Sequence, residues 1–180
     1  MRKSLSLLGA AMLAPAVGFS QTASGDERVT RGEYIVTTSG CHDCHTPLTI
    51  GPDGPEPDMK RALSGHPESV AINGPIALPE PWGAAFASTG TAASGPWGVS
   101  FAANLTPDPE TGVLRDFTEE QFIQTLRTGR HQGQGRRILP PMPWPVYGKM
   151  TDDDLKSVFA YLRQIPAVRN KVPDPIAPAP

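Results

Sequence analysis

The chain has 180 residues, 16 Lys+Arg against 18 Asp+Glu for a formal charge of −2, and 38% hydrophobic residues. That length bounds it to one domain plus any processed segment, and the charge balance excludes a broad nucleic-acid-binding footprint. Cysteine chemistry is confined to one place, because Cys41 and Cys44 are the only two thiols and share a four-residue span.

The first 20 residues read as a signal peptide. Arg2 and Lys3 precede a short apolar run over residues 5–19, which Gly9, Pro15 and Gly18 interrupt too often for a membrane span. Cleavage after Ser20 is favoured over cleavage at Ala23, with an uncleaved N-terminal tether as the alternative. Removing residues 1–20 takes the formal charge to −4 (14 basic against 18 acidic residues) and delivers the chain to the periplasm. Free thiols pair in an oxidising compartment. A Cys41–Cys44 bridge, however, closes so small a loop that it would constrain the unfolded chain little. The pair is chosen for chemistry.

Tyr34, Ile35 and Val36, led in by Thr30, predict a first helix of two or three turns running into Gly40, although the β-branched pair also suits a strand. Residues 46–103 hold nine prolines and eight glycines, a density that argues against long helices and central strands. The same stretch contains Leu63, Val70, Ile72, Trp82, Phe86, Trp97 and Phe101, so an ordered, loop-rich wrap over about residues 48–100 is predicted instead of a solvated linker. Two further helices share one start signal. Thr118 with Gln121, and Thr151 with Asp154, are N-caps with partners three residues on, and Phe117/Phe122 and Met150/Leu155 can staple across them. Between these helices lies "GRHQGQGRRILPPMPWPVYGK", with Met142 enclosed by prolines. Residues 171–180 are a Pro-rich extended tail, expected to be poorly ordered.

Three chemistries suit "CHDCH" at residues 41–45: a dithiol switch, half of a zinc site, or covalent haem attachment. A dithiol switch belongs in a βαβ setting, which is missing from the pattern. Structural zinc uses four ligands in paired groups, while His66 and His131 stand alone. Haem attachment needs two thiols at this spacing for the vinyl groups and His45 beside them for the iron. The predicted cofactor is therefore one haem c, with Cys41 and Cys44 as thioethers and His45 as an axial ligand. For the second axial ligand Met142 is best placed, since flanking prolines lower the freedom of its loop. His66 is the rival, and Met59, Met150 and His131 are weaker candidates. His45 is expected to donate its other ring N–H to a backbone carbonyl, with Pro47 and Pro52 both in range. Arg130, Arg136, Arg137, Asn104 and Thr106 compete to hold the propionates, and Trp97, Trp144 and Phe101 to cover the cofactor.

With these residues in view, the chain resembles the single-haem class I cytochromes c of bacterial periplasms. The resemblance rests on "ANLTPD" with Thr111-Gly112, on "PPMPW" at residues 140–144, and on residues 151–166. It covers roughly residues 29–47 and 97–169, and the stretch 52–96 departs from compact members. It implies an all-α fold: a cytochrome c domain over residues 21–170 with a long Pro/Gly-rich insertion wrapping the haem. First and last helices would cross beside the cofactor, through Gly32 and Tyr34 against Tyr161 and Leu162. The implied function is single-electron transfer between redox proteins, not catalysis. The implied partners are redox proteins, a dehydrogenase or oxidase among the candidates, with no nucleic acid and no membrane span after signal cleavage. Two alternatives stay open: a haem enzyme with an open distal site, peroxidase-like, and the cytochrome subunit of a dehydrogenase complex.

Overall fold

The computed structural model describes residues 25–178; the expected signal peptide lies outside them. Five helices are described: α1 (Gly25–Thr38), α2 (Cys41–His45), α3 (Glu119–Thr128), α4 (Trp144–Tyr147) and α5 (Asp152–Leu162). Five short strands form two antiparallel sheets. One pairs β1 (Leu48–Gly51) with β2 (Gly54–Pro57), and the other runs β3 (Ala85–Phe86), β4 (Ala92–Gly95), β5 (Gly98–Phe101) in that order.

These sheets overturn the all-α expectation. Proline density was expected to forbid central strands, but the prolines fall in turns and on open edges. Register Gly51↔Gly54 leaves Pro52-Asp53 as one two-residue turn, and Gly95↔Gly98 leaves Pro96-Trp97 as another. Gly54 and Gly98 take φ of 121° and 92°, which a side chain would resist. The one central strand, β4, is "AASG", small and free of proline. The fold is therefore helical with a loop-rich, two-sheet middle.

The ends of the helices follow their local sequence. Thr118 accepts from the Gln121 N–H while Gln121 accepts from the Thr118 N–H, and α3 stops at Gly129 with φ 66°. Thr151 accepts from the Asp154 N–H at the start of α5. α1 is longer than expected at 14 residues, and Ile35 and Val36 are helical and buried on its inner face. It crosses α5 at Gly32, where any β-carbon would collide with the Ser157 carbonyl and the Tyr161 β-carbon. The expected Gly32–Tyr161 contact is thus present. Tyr34, however, is exposed and lies 5.6 Å from the Arg31 guanidinium, which is itself paired to Asp154 of α5 at 2.9 Å. The crossing closes a core of Val36, Leu63, Leu114, Phe122, Ile123 and Leu155.

The C-terminal tail returns across the molecule instead of leaving it. Ile176 exchanges both backbone hydrogen bonds with Val99 of β5, at 2.9 and 3.0 Å. Upstream, buried Asn170 donates to the Ser64 and His66 carbonyls at 2.7 and 2.9 Å. None of the described helices is long and apolar enough to cross a membrane.

Candidate functional site

α1 and α2 meet at Gly40, whose φ of 73° is the left-handed conformation that lets the chain double back within one residue. The single turn that follows puts Cys41 and Cys44, three apart, on one face with His45 beside them. Both thiols are free, and burial is the main cause that raises their pKa, Cys41 to about 11. His45 is buried, and its Nδ1 lies 2.8 Å from the Ala103 carbonyl oxygen. A carbonyl only accepts, so Nδ1 carries the proton and the lone pair is on Nε2. Burial also lowers the His45 pKa, which keeps the ring neutral. The orienting carbonyl is thus Ala103 and not Pro47 or Pro52. Being backbone, it left no side-chain signal in the sequence. His42 turns elsewhere, with Nδ1 2.8 Å from the Thr46 hydroxyl.

The loop carrying Met142 is tethered on both sides. Before it, the Ser100 hydroxyl of β5 donates to the Pro140 carbonyl at 2.6 Å and accepts from the Trp97 indole N–H at 3.2 Å. After it, the Tyr147 hydroxyl of α4 donates at 2.7 Å to the Ser39 carbonyl, two residues before Cys41. Burial raises the Tyr147 pKa, with the nearby thiols adding to it. Sequence reasoning missed Ser100 and Tyr147, because nothing local to either residue reports a contact 40 or 108 positions away.

Cys41, Cys44, His45 and Met142 all line one largely apolar cavity of about 220 Å³. Its walls come from widely separated elements: Ile35 of α1, Ala92 and Ala93 of β4, Phe101 of β5, Leu126 of α3 and Val158 of α5. Met150 lines it too, but stands at the foot of α5 against the core, in its expected staple position. Arg136 reaches the wall. Four of the lining residues, Phe86, Arg136, Pro141 and Pro143, are also exposed and mark the mouth.

Other candidates are placed outside the cavity. Arg137 is exposed and does not line it. Asn104 is almost wholly buried, donating to Val168 O at 2.8 Å and accepting from the Thr106 N–H and hydroxyl at 3.0 and 2.7 Å. It fastens the tail. Trp144 packs its ring on Gly129, in the space a β-carbon would fill. His66 has both ring nitrogens engaged, 2.9 Å from the Thr91 hydroxyl and 2.9 Å from Val70 O, and burial lowers its pKa. Met59 is exposed. His131 does line the cavity, edge-on to Phe117 at 4.9 Å, and burial is the main cause lowering its pKa, with Arg136 and Arg115 adding. Among the described residues, no three His, Cys, Asp or Glu side chains are grouped to hold a metal ion.

No family model matches the chain. It is similar to the alcohol dehydrogenase (quinone) cytochrome c subunit of Gluconobacter oxydans, 28% identical over 167 residues, 91% of this chain and 27% of that protein. The fructose dehydrogenase cytochrome subunit of Gluconobacter japonicus is 28% identical over 134 residues, 74% of this chain and 20% of its own length. The gluconate 2-dehydrogenase cytochrome c subunit of Pantoea cypripedii is 28% identical over 138 residues, 77% of this chain and 23% of that protein. The chain thus spans about a quarter of the length of these relatives. Similarity over about three quarters or more of the chain to cytochrome subunits of dehydrogenases supports a place in the cytochrome c family.

Proposed function

We propose that this chain is a periplasmic one-electron carrier holding a single haem c, attached through Cys41 and Cys44, with His45 and Met142 as axial ligands. The observation that carries the reading is the donor set of one cavity: two free thiols, an imidazole whose Nδ1 is already committed to Ala103, and a thioether on a doubly tethered loop. That set fits a flat apolar macrocycle with two vinyl groups and an iron wanting one nitrogen and one sulfur. When bound, the group supplies an Fe(III)/Fe(II) couple, with thioether ligation favouring the reduced state.

The chain's own part is to hold its ligands still. The Ala103 carbonyl fixes the tautomer and rotation of His45, so that Nε2 is presented without reorganisation. Ser100 and Tyr147 restrain the backbone on either side of Met142. The apolar walls exclude water and so raise the potential further, while Arg136 at the mouth offers a guanidinium to the carboxylates of the cofactor. The dehydrogenase subunits among its relatives support a role passing electrons from a dehydrogenase partner, with substrate oxidation left to that partner. Absorption spectra of the purified protein in both oxidation states test the proposal. Thioether-linked, six-coordinate low-spin haem in both states is expected, and a colourless protein from cells with working cytochrome maturation would end it.

A further inference from the structure

Charge is unevenly distributed along this chain. Residues 121–151 contain no Asp or Glu but five basic residues, while the remainder carries a formal −7 to give −2 in total. Most described arginines are neutralised locally. Arg28, Arg31, Arg61, Arg115 and Arg169 each reach a carboxylate, and so does Arg127 at the start of the acid-free stretch. Arg163 has no ion pair but is folded back onto the protein, donating to the Leu114 carbonyl and lying over the Phe159 ring. The other described arginines without an ion pair are Arg130, Arg136 and Arg137, all in one loop. An Arg130–Arg137 backbone bridge draws its two arms together, and Arg130 gives one N–H to the Gly135 carbonyl at 3.0 Å. Burial keeps the intervening His131 toward its neutral form, so the positive charge is arginine alone. Like charges gathered without counter-charge are mutually repulsive, and an incoming anionic surface relieves that repulsion.

The position of this loop gives the charge a use. Arg136 stands at the cavity mouth with Phe86, Pro141 and Pro143, and Phe86 is 57% exposed although it lines the cavity. An apolar centre edged by unpaired arginines is the usual composition of a protein-docking patch. We infer that the loop over residues 129–138, with the apolar rim of Phe86, Pro141 and Pro143, is the docking surface for an acidic protein partner. The inference rests on the electron-carrier reading for why a partner comes to this mouth, though the binding itself does not require it. An acidic protein patch fits better than a polyphosphate or an anionic bilayer, because the patch is small and the rest of the chain is negative and repels an extended anion. Arg136 faces the cavity, which leaves Arg130 and Arg137 to meet the partner.

The test titrates the full-length pigmented protein, isotopically labelled, with poly-L-glutamate at low salt. Parallel titrations use vesicles of phosphatidylglycerol in phosphatidylcholine and a single-stranded oligonucleotide. Polyglutamate is expected to shift the amide signals of residues 129–138 and 85–86, and salt to reverse the shifts. Arg130→Glu with Arg137→Glu should weaken binding by about tenfold or more, and the milder Arg130→Gln with Arg137→Gln should do so to a lesser degree. Shifts centred elsewhere, affinity unchanged by both double variants, or tighter binding to vesicle or oligonucleotide than to polyglutamate would overturn the inference. The absorption spectrum of the same sample reads the carrier function separately. Polyglutamate binding by a colourless protein would sink the carrier and leave the docking surface standing.

Discussion

The α2 segment and the Met142 loop line the same cavity, yet the first is held mostly by backbone and the second mostly by distant side chains. Around His45, the Gly65 N–H donates to the His45 carbonyl at 2.8 Å, the Thr46 N–H to His42 O at 3.0 Å, and the ring itself binds a main-chain oxygen. The side-chain ties here converge on Thr46, whose hydroxyl takes the Leu63 N–H at 3.0 Å and lies 2.8 Å from His42 Nδ1. The Met142 loop instead depends on two hydroxyls, Ser100 and Tyr147, and on Pro140, Pro141 and Pro143, all exposed. One wall is therefore hard to disturb by substitution at a distance, while the other can be loosened without touching the methionine.

The contrast is broken most completely by removing what the first wall contributes. Cys41→Ala with Cys44→Ala should abolish covalent pigment altogether, checked by acid-acetone extraction followed by an absorption spectrum. Covalent colour surviving in that variant would contradict attachment at α2. Next in size, Met142→Ala should retain covalent haem but open the sixth position, so that carbon monoxide and cyanide bind where the parent protein resists them. Unchanged axial spectra in this variant would remove Met142 from the site and make Met150, which shares the cavity, the next candidate.

The same contrast explains what could be read from sequence. Much that is local was legible, the Cys41–His45 pattern, both threonine caps and the Gly129 stop, but not the start of α1 or the two tight hairpins. Gly32 at the helix crossing came from the family resemblance, which placed Tyr34 there as well, where the structure leaves it exposed. What escaped was long-range or main-chain: the Ala103 carbonyl on His45, the Ser100 and Tyr147 tethers, and the pairing of Ile176 with Val99 that makes the tail a strap. Asn104 and Trp144 were expected at the cofactor, and neither lines the cavity that holds Cys41, Cys44, His45 and Met142. A buried amide or indole near a cofactor motif has the same sequence signature whether it meets the cofactor or fastens the chain, and here Asn104 fastens the tail. The sheets were missed because proline density was read as a property of the whole segment, whereas it matters only at central, paired positions.

Loosening the second wall alone sharpens the contrast. Tyr147→Phe deletes one hydrogen bond at the flank of the Met142 loop, at a cost of about 1 kcal/mol, and Ser100→Ala deletes the bond to Pro140 together with the one accepted from Trp97, at a cost of about 2 kcal/mol. Urea denaturation should report that loss. The more telling readout is ligand exchange. Both variants should bind cyanide faster in the oxidised state, while the covalent pigment and the His45-side spectrum stay unchanged. Equal loosening of both sides would show that the tethers serve general stability and not the loop.

The smallest effect concerns a histidine outside the cavity, and its sign follows from its bonds. The Val70 carbonyl can only accept, so His66 Nε2 carries the proton and Nδ1 accepts from the Thr91 hydroxyl, which in turn accepts from Thr89 at 2.8 Å. Protonating the ring would place a second donor against Thr91 and charge a buried group, in keeping with a pKa lowered chiefly by burial. In the unfolded chain the same histidine titrates near 6.5. Below that pH the unfolded state binds more protons than the folded one, so stability rises with pH through this window and falls as pH drops beneath it. The contribution is fully present above about pH 6.5. Urea midpoints between pH 5.5 and 7.5 should show this slope, and His66→Asn should flatten it even though the variant starts out less stable. A slope as steep in His66→Asn as in the parent would assign it to the other histidines with lowered pKa, His42, His45 and His131, and leave the Thr89–Thr91–His66 chain a purely structural tie between β4 and the loop before it.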